Sequence, residues 1–292
     1  MHYTGILYRN PYQPPSPLIE ITQGCTHNKC KFCTMYKDVP FKMSPIDWVE
    51  EDLQEIARDY PGTTRLQFVG ADPFVLSFKN LKKRLELVHK YIPTIQTITM
   101  AARVDNLKNK TVEELKELRK LGITNVELGV ESGDEWTLQR IEKGYHADEI
   151  VPLVRKLDEA GITYWLTYLN GVAGKSHSLE HAKHTAEIFN QLNPIVVGSG
   201  GLTLFPGTPL LDEAQRGEFD PLDEKGMLEE MKNFLETLTC DCRIITHHTF
   251  AAHLTNGRFL ENKDKILKAL QHEIDHIDED YLARIRKSKR TL

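Results

Sequence analysis

The chain has 292 residues, the length of two average domains or of one α/β barrel. Its 40% hydrophobic and 27% charged residues are ordinary for a folded globular protein and exclude disordered, collagen-like and disulfide-miniprotein chains. The net charge of −5 gives no overall attraction to nucleic acid or to an anionic membrane, and no apolar run approaches the ~20 residues of a membrane helix.

The start, Met1-His-Tyr-Thr-Gly-Ile-Leu-Tyr8, lacks the basic-then-apolar pattern of an export signal, so a cytoplasmic protein is expected. Arg9–Pro17 holds four prolines, so residues 1–16 are expected to form an extended arm. Six β-like runs follow: Leu18–Thr22, Leu66–Gly70, Ile95–Ala101, Val126–Val130, Ile162–Leu169 and Ile195–Val197. Between them the apolar spacing is helical. Ser44-Pro45-Ile46-Asp47 predicts a helix start with Ser44 as cap, and Thr111-x-x-Glu114 predicts a capping box. Gly122 and Gly161 each suit the left-handed position that ends a helix, and an apolar run follows at once.

Strand spacings of mostly ~30–40 residues match consecutive βα units of a parallel sheet. A full eight-unit barrel usually takes ~250 residues. Here the pattern fades near residue 205, which predicts an α/β fold: an incomplete TIM-like barrel of about six βα units over 17–222. Residues 223–292 are expected to add a mainly helical C-terminal extension, irregular around Thr239–Asn256.

Cys25, Cys30 and Cys33 fall within nine residues, directly after the first strand, while Cys240 and Cys242 lie far away. An odd cysteine count without an export signal points to metal or redox chemistry rather than a disulfide framework. Ligand-binding loops of parallel α/β folds sit at the C-terminal ends of strands. Three thiolates there can hold three corners of a cubane [4Fe–4S] cluster and leave one iron open to an external molecule. Structural zinc with His27 as fourth ligand is the alternative. Zinc sites usually pair two separated knuckles, and this chain has one.

The loop resembles that of the radical S-adenosylmethionine (SAM) superfamily, and the resemblance extends over about residues 17–210. That family's hallmark is Cys-x3-Cys-x2-Cys after the first strand, with an aromatic before the last cysteine. Here the aromatic is Phe32 and the first interval is one residue longer, Cys25-x4-Cys30. The longer interval is similar to that of uncharacterised Fe–S oxidoreductases near the coproporphyrinogen-oxidase-like and methylthiotransferase-like members.

The resemblance implies SAM contacts at the following strand ends. Gly70-Ala71-Asp72-Pro73 occupies the place of a Gly-Gly-Glu-Pro-like turn whose backbone holds the SAM amino group. Arg103 stands two residues beyond Ala101, where some relatives carry a glutamate. Glu131-Ser132-Gly133 ends the fourth run, with Glu131 implied at the amino or ribose groups. Lys143 is implied to pair with the SAM carboxylate, although lysine lacks the bidentate fork of an arginine. Thr167 and Asn170 stand where relatives touch ribose and adenine. The implied cofactors are a [4Fe–4S] cluster and SAM, with a reductant such as flavodoxin or ferredoxin as partner. The implied reaction is reductive cleavage of SAM to a 5′-deoxyadenosyl radical that takes hydrogen from substrate.

Other motifs have plainer explanations. His272-Glu-Ile-Asp-His276 matches a short zinc-protease pattern, but no histidine follows it, and a solvated helix face backed by Ile266, Leu267, Leu270, Ile274 and Ile277 is expected. His177, His181 and His184 share one helix face and are expected to be a polar face rather than a metal site. Cys240-Asp-Cys242 with His247 and His248 could ligate an auxiliary cluster, but two cysteines are too few for a cubane. By resemblance His248 is a weak candidate on the substrate side. Five basic residues in Arg284–Arg290 are expected to form a solvated terminus.

The arm is too small for a cobalamin domain. Nothing resembles the RNA-binding barrel of tRNA methylthiotransferases or the multi-cysteine extension of peptide-maturing relatives. These features favour a small-molecule substrate over nucleic acid. The alternatives are a tRNA- or protein-modifying radical SAM enzyme, and a binding protein on the same scaffold stabilised by iron–sulfur or zinc.

Overall fold

The computed structural model describes residues 1–246 and 258–288. The strands are β1 (Leu18–Glu20), β2 (Thr22–Gln23), β3 (Lys42–Met43), β4 (Arg65–Val69), β5 (Thr97–Ala102), β6 (Ile123–Glu131), β7 (Thr163–Asn170), β8 (Val196–Gly201) and β9 (Arg243–Thr246). The helices are α1 (Ile46–Asp59), α2 (Phe78–Tyr91), α3 (Val112–Lys120), α4 (Glu135–Arg140), α5 (Ala147–Ala160), α6 (Ser178–Phe189), α7 (Pro209–Gln215), α8 (Glu224–Thr237), α9 (Phe259–Asp275) and α10 (Glu279–Ser288). Seven strands form one sheet in the order β1-β4-β5-β6-β7-β8-β9, and β2 pairs with β3 as a small hairpin. Parallel strands joined by helices, with helices after the last strand, make an incomplete TIM-like barrel with a C-terminal helical part. The expected six strands are all present. The seventh, β9, was missed because a four-residue run, Arg-Ile-Ile-Thr, is too short for its periodicity to signal a strand.

The chain divides into two compact units. The first comprises Met1–Asn28, Met35–Gly129 and Pro152–Tyr164; the second comprises Lys29–Thr34, Val130–Val151 and Trp165–Leu292.

In the first unit the strand register places Leu18, Gln67, Thr99 and Asn125 side by side, with Glu20 and Glu127 two residues further along. Residues opposed in register share a face, so this face of the sheet is polar. The alternate residues Ile19, Phe68, Met100 and Val126 are fully buried on the apolar face. The N-terminal arm lies on polar residues: Thr4 bonds Glu20 (2.6 Å), Asn10 bonds Glu127 (3.2 Å) and Gln13 bonds Asn125 (3.4 Å).

Helix α1 starts one residue later than expected. Pro45 is its cap, and Ser44 is buried with its N–H donated to Ile21 O, so its hydroxyl caps nothing. The box at α3 forms as expected: Glu114 N donates to Thr111 Oγ1 (3.1 Å) and Thr111 N to Glu114 Oε2 (2.9 Å). Thr111→Ala is expected to cost about 1 kcal/mol of stability in a urea melt, the usual worth of such a cap; an unchanged midpoint would show that α3 is held by its packing alone.

In the second unit α6 and α8 pack on β7. Tyr168 stacks on Phe234 (4.1 Å) and on His181 (4.9 Å). Its hydroxyl donates to Glu230 Oε1 (2.7 Å), which also accepts Gly171 N (2.7 Å), while Asn170 Nδ2 donates to Met227 O (2.9 Å). The end of β7 is thus tied to α8 by three hydrogen bonds. Of the stripe expected on α9 and just beyond it, Ile266, Leu270 and Ile274 are buried and Leu267 and Ile277 half-buried, while His272 and His276 are exposed.

Burial pushes the Glu230 carboxyl up to about 8 and His181 down to about 4. Folded Glu230 therefore keeps a proton that the unfolded chain loses above pH 4.5, so its contribution declines as pH rises towards 8. Folded His181 lacks a proton that the unfolded chain gains below 6.5, so its contribution declines as pH falls towards 4. The two slopes oppose each other between 4.5 and 6.5, and of the two only that of Glu230 continues between 6.5 and 8. Stability should fall by about 1 kcal/mol per pH unit across that interval and level off in Glu230→Gln. Equal slopes in the two proteins, from denaturation at pH 6.5 and 8, would refute a neutral Glu230.

Candidate active site

The first unit carries the opening of the cysteine loop. Cys25 Sγ accepts the backbone N–H of Asn28 at 3.5 Å. Burial pushes its thiol up, while the N–H groups of Asn28 and His27 and the charge of Arg103 act the other way. Asn28, inside the longer Cys25-x4-Cys30 interval, has φ +47°, a left-handed conformation that asparagine tolerates better than most residues. Its side chain fixes the turn by donating to Tyr36 O (2.8 Å), and Lys37 Nζ donates to Asn28 O (3.1 Å).

The turn after β4 anchors this loop. Asp72 is fully buried and accepts both the N–H and the hydroxyl of Thr26, the residue after Cys25. Burial pushes its carboxyl up, against the pull of Thr26 and Arg103. Gly70 has φ +133°, and a Cβ there would drive into the backbone and hydroxyl of Thr22, so glycine is required. Ala71 lies between these two anchors. Arg103 grips Asp105 through two nitrogens (2.9 and 3.2 Å) and is 6% exposed. Its fork is therefore already bound to a carboxylate on its own segment.

In the second unit, Cys33 N donates to Cys30 O (3.3 Å). The segment between them is clamped by Lys31 N to Ile141 O (3.0 Å) and Leu210 N to Lys31 O (3.1 Å). Lys31 Nζ pairs with Glu213 (2.9 Å), which Arg140 also contacts. Phe32 packs on an apolar cluster containing Ile141, Leu169 and Met227.

The Lys143 ammonium stands 5.8 Å from the Phe32 ring centre and 3.4 Å from Glu131 Oε1, and Lys143 is 4% exposed. The structure thus gathers Phe32, Glu131 and Lys143. Thr167 Oγ1 accepts Val130 N (3.0 Å) and Glu131 N (3.4 Å), so its hydroxyl holds the end of β6. Asn170 Oδ1 is buried and has no partner among the described residues. His248 lies outside the described residues, as does His247.

One feature was not foreseen. The polar face at the start of α6 is partly buried: His181 is fully buried, and Asp134, which no motif singled out, accepts from His177 (3.1 Å) and His184 (2.7 Å). Their i, i+4, i+7 spacing was visible, but the partner opposite them was not. Cys240 and Cys242 are buried with sulfurs 3.6 Å apart.

A parallel, incomplete barrel whose first strand leads into a three-cysteine loop defines a barrel protein of the iron–sulfur class. The profile of the Radical SAM superfamily matches residues 19–189, more than half of the chain, and the chain belongs to that superfamily. It is 26% identical over 230 residues to an uncharacterised protein of Methanocaldococcus jannaschii, covering 76% of this chain and 71% of that one. It is 27% identical over 150 residues to the tRNA uridine(34) acetyltransferase of Methanocaldococcus infernus, covering 50% of this chain and only 28% of the relative's length. The fold is also similar to the solved coproporphyrinogen III oxidase of Escherichia coli, with TM-score 0.58, 18% identity, and 78% and 54% of the two chains covered. Superfamily members are enzymes that use a [4Fe–4S] cluster and SAM and draw electrons from an external reductant, and these are the cofactors of this chain. Among the described residues no helix is long and apolar enough to cross a membrane.

Proposed function

We propose that this chain is a cytoplasmic radical SAM enzyme acting by hydrogen abstraction on a small molecule, with flavodoxin or ferredoxin as reductant. The observation that carries the SAM assignment is the pair of opposite charges formed by Glu131, which ends β6, and the buried Lys143, which follows α4. SAM presents a carboxylate and an amino group, and an adjacent cation and carboxylate suit such a zwitterion. The residues present fit the cofactors. Cys25, Cys30 and Cys33 supply the thiolates, Asn28 N–H points at the Cys25 sulfur, and Asn170 Oδ1 is a buried acceptor with no donor among the described residues.

Held by Cys25, Cys30, Cys33, Glu131 and Lys143, the cluster and SAM would supply the radical chemistry for hydrogen abstraction. The chain's own part is to bind, orient and exclude water. Asp72 and Gly70 hold the cysteine loop and the turn offered to the SAM amino group. Lys143 offers a charge to the carboxylate, Glu131 an acceptor to the amino or ribose groups, and Asn170 an acceptor at the end of β7. Thr167 fixes the backbone from which Glu131 projects.

A small substrate is supported by the polar sheet face of the first unit, part of which is occupied by the chain's own arm through Asn10 and Gln13. The net charge of −5 supports it too. Similarity to a tRNA-modifying relative favours RNA as a second reading. Extracts of cells grown in D2O, separated into small-molecule, RNA and protein fractions, distinguish them. Deuterium should enter 5′-deoxyadenosine from the small-molecule fraction. Transfer only from RNA would establish the second reading, and transfer only from protein would overturn both.

A further inference from the structure

Glu131 ends β6 with φ +68°, a left-handed conformation that a non-glycine residue adopts only when its surroundings enforce it. The three residues after it are each bound to α6 or its N-terminal cap. Ser132 Oγ meets His181 Nδ1 at 2.9 Å, and Gly133 N donates to Thr185 Oγ1 at 2.8 Å. The Asp134 carboxylate takes His177 Nε2 at 3.1 Å and His184 Nδ1 at 2.7 Å. Positions 177, 181, 184 and 185 share one helical face, so a single face meets all three residues that follow the strand.

The contact is close and dry. Ser132, His181 and Thr185 are fully buried, and a Cβ on Gly133 would come within 2.8 Å of Thr185 Cα. The hydrogen bonds also settle the chemistry of the ring. His181 Nε2 lies 3.3 Å from Leu169 O, which can only accept, so Nε2 carries the proton and Nδ1 accepts from the Ser132 hydroxyl. Ser132 Oγ in turn accepts Asp134 N at 3.0 Å. A neutral His181 therefore links the end of β6, which bears Glu131, to the end of β7, which bears Asn170. Burial, which lowers its proton affinity, is consistent with that neutral state.

We infer that α6 is a positioning element for the SAM site, in which Ser132, His181 and Thr185 hold Glu131 in its left-handed conformation. Ser132 then works through His181 rather than by touching SAM. This rests on the reading of Glu131 as a SAM contact. It gives work to the three histidines and to Gly133-Asp134, all on residues that a bound ligand need not reach.

The test uses full-length protein, reconstituted with its cluster under anaerobic conditions, and SAM itself as the probe. Thr185→Val keeps the shape and removes the acceptor of Gly133 N, whereas Thr185→Ser keeps that acceptor. Thr185→Val should weaken SAM binding about five- to twentyfold at temperatures well below its melt, and Thr185→Ser should bind nearly as wild type. In a Glu131→Ala background, Thr185→Val should have no further effect, because the side chain it positions is gone. Should Thr185→Val fold poorly, Ser132→Ala removes the neighbouring bond and is read the same way. Wild-type affinity in Thr185→Val, or an equal loss with and without the Glu131 side chain, would overturn the positioning role while leaving Glu131 as a contact. Wild-type affinity in Glu131→Ala alone would remove the reading on which the role rests.

Discussion

Replacing Cys25, Cys30 or Cys33 by alanine is expected to abolish reductive cleavage of SAM. Each thiolate would hold one corner of a cubane whose fourth iron would meet SAM, so two thiolates would not retain the cluster. Wild-type protein purified without oxygen should be brown and carry about four iron and four sulfide per chain, and each alanine variant should lose most of both. The fold should persist, since the backbone of Lys31 is bonded to Ile141 and Leu210. Replacing Cys240 and Cys242 together should leave cleavage and iron unchanged. Loss of a second cluster's worth of iron in that double variant would instead make the buried pair a ligand set. Zinc in stoichiometric amount without sulfide would contradict the assignment outright.

Glu131→Gln and Lys143→Ala should each weaken SAM binding about ten- to a hundredfold. A charge-assisted hydrogen bond is worth roughly 1.5–3 kcal/mol, which corresponds to that range. The two groups stand 3.4 Å apart, longer than a good charge-assisted hydrogen bond. Lys143 is almost wholly buried, so its charge is little screened by salt and the loss should persist at high ionic strength. His272→Ala, on the exposed face of α9, serves as control and should bind SAM as wild type. If the two variants bind as tightly as wild type, the pair is a purely structural ion pair.

Local chemistry was legible in the sequence. The cysteine triplet shows its spacing in nine contiguous residues, the Thr111–Glu114 box closes within one turn, and Gly122 and Gly161 take the left-handed conformation at helix ends, with φ +103° and +70°. Contacts made at a distance were not legible. His181 reads as polar along its helix, and only the approach of Ser132, some fifty residues earlier, makes it a buried bridge. Asp134 and Thr185 gain meaning in the same way. Glu230 looks like one more charge on an amphipathic helix until Tyr168 and Gly171 close on it. Ser44 had the right residue type for a cap, but its backbone is drawn to Ile21 instead. β9 was too short for its pattern to outweigh its neighbours.

The central claim is that this chain holds SAM so that one electron splits it at the 5′ carbon. It is tested most directly by incubating reconstituted protein with dithionite and SAM, without substrate, and separating the products. Slow formation of 5′-deoxyadenosine and methionine, absent from the Cys25→Ala variant, is the expected result. S-adenosylhomocysteine in their place would mean methyl transfer, and a fully loaded cluster that yields none of these products would contradict the account and leave a binding protein on a radical SAM scaffold.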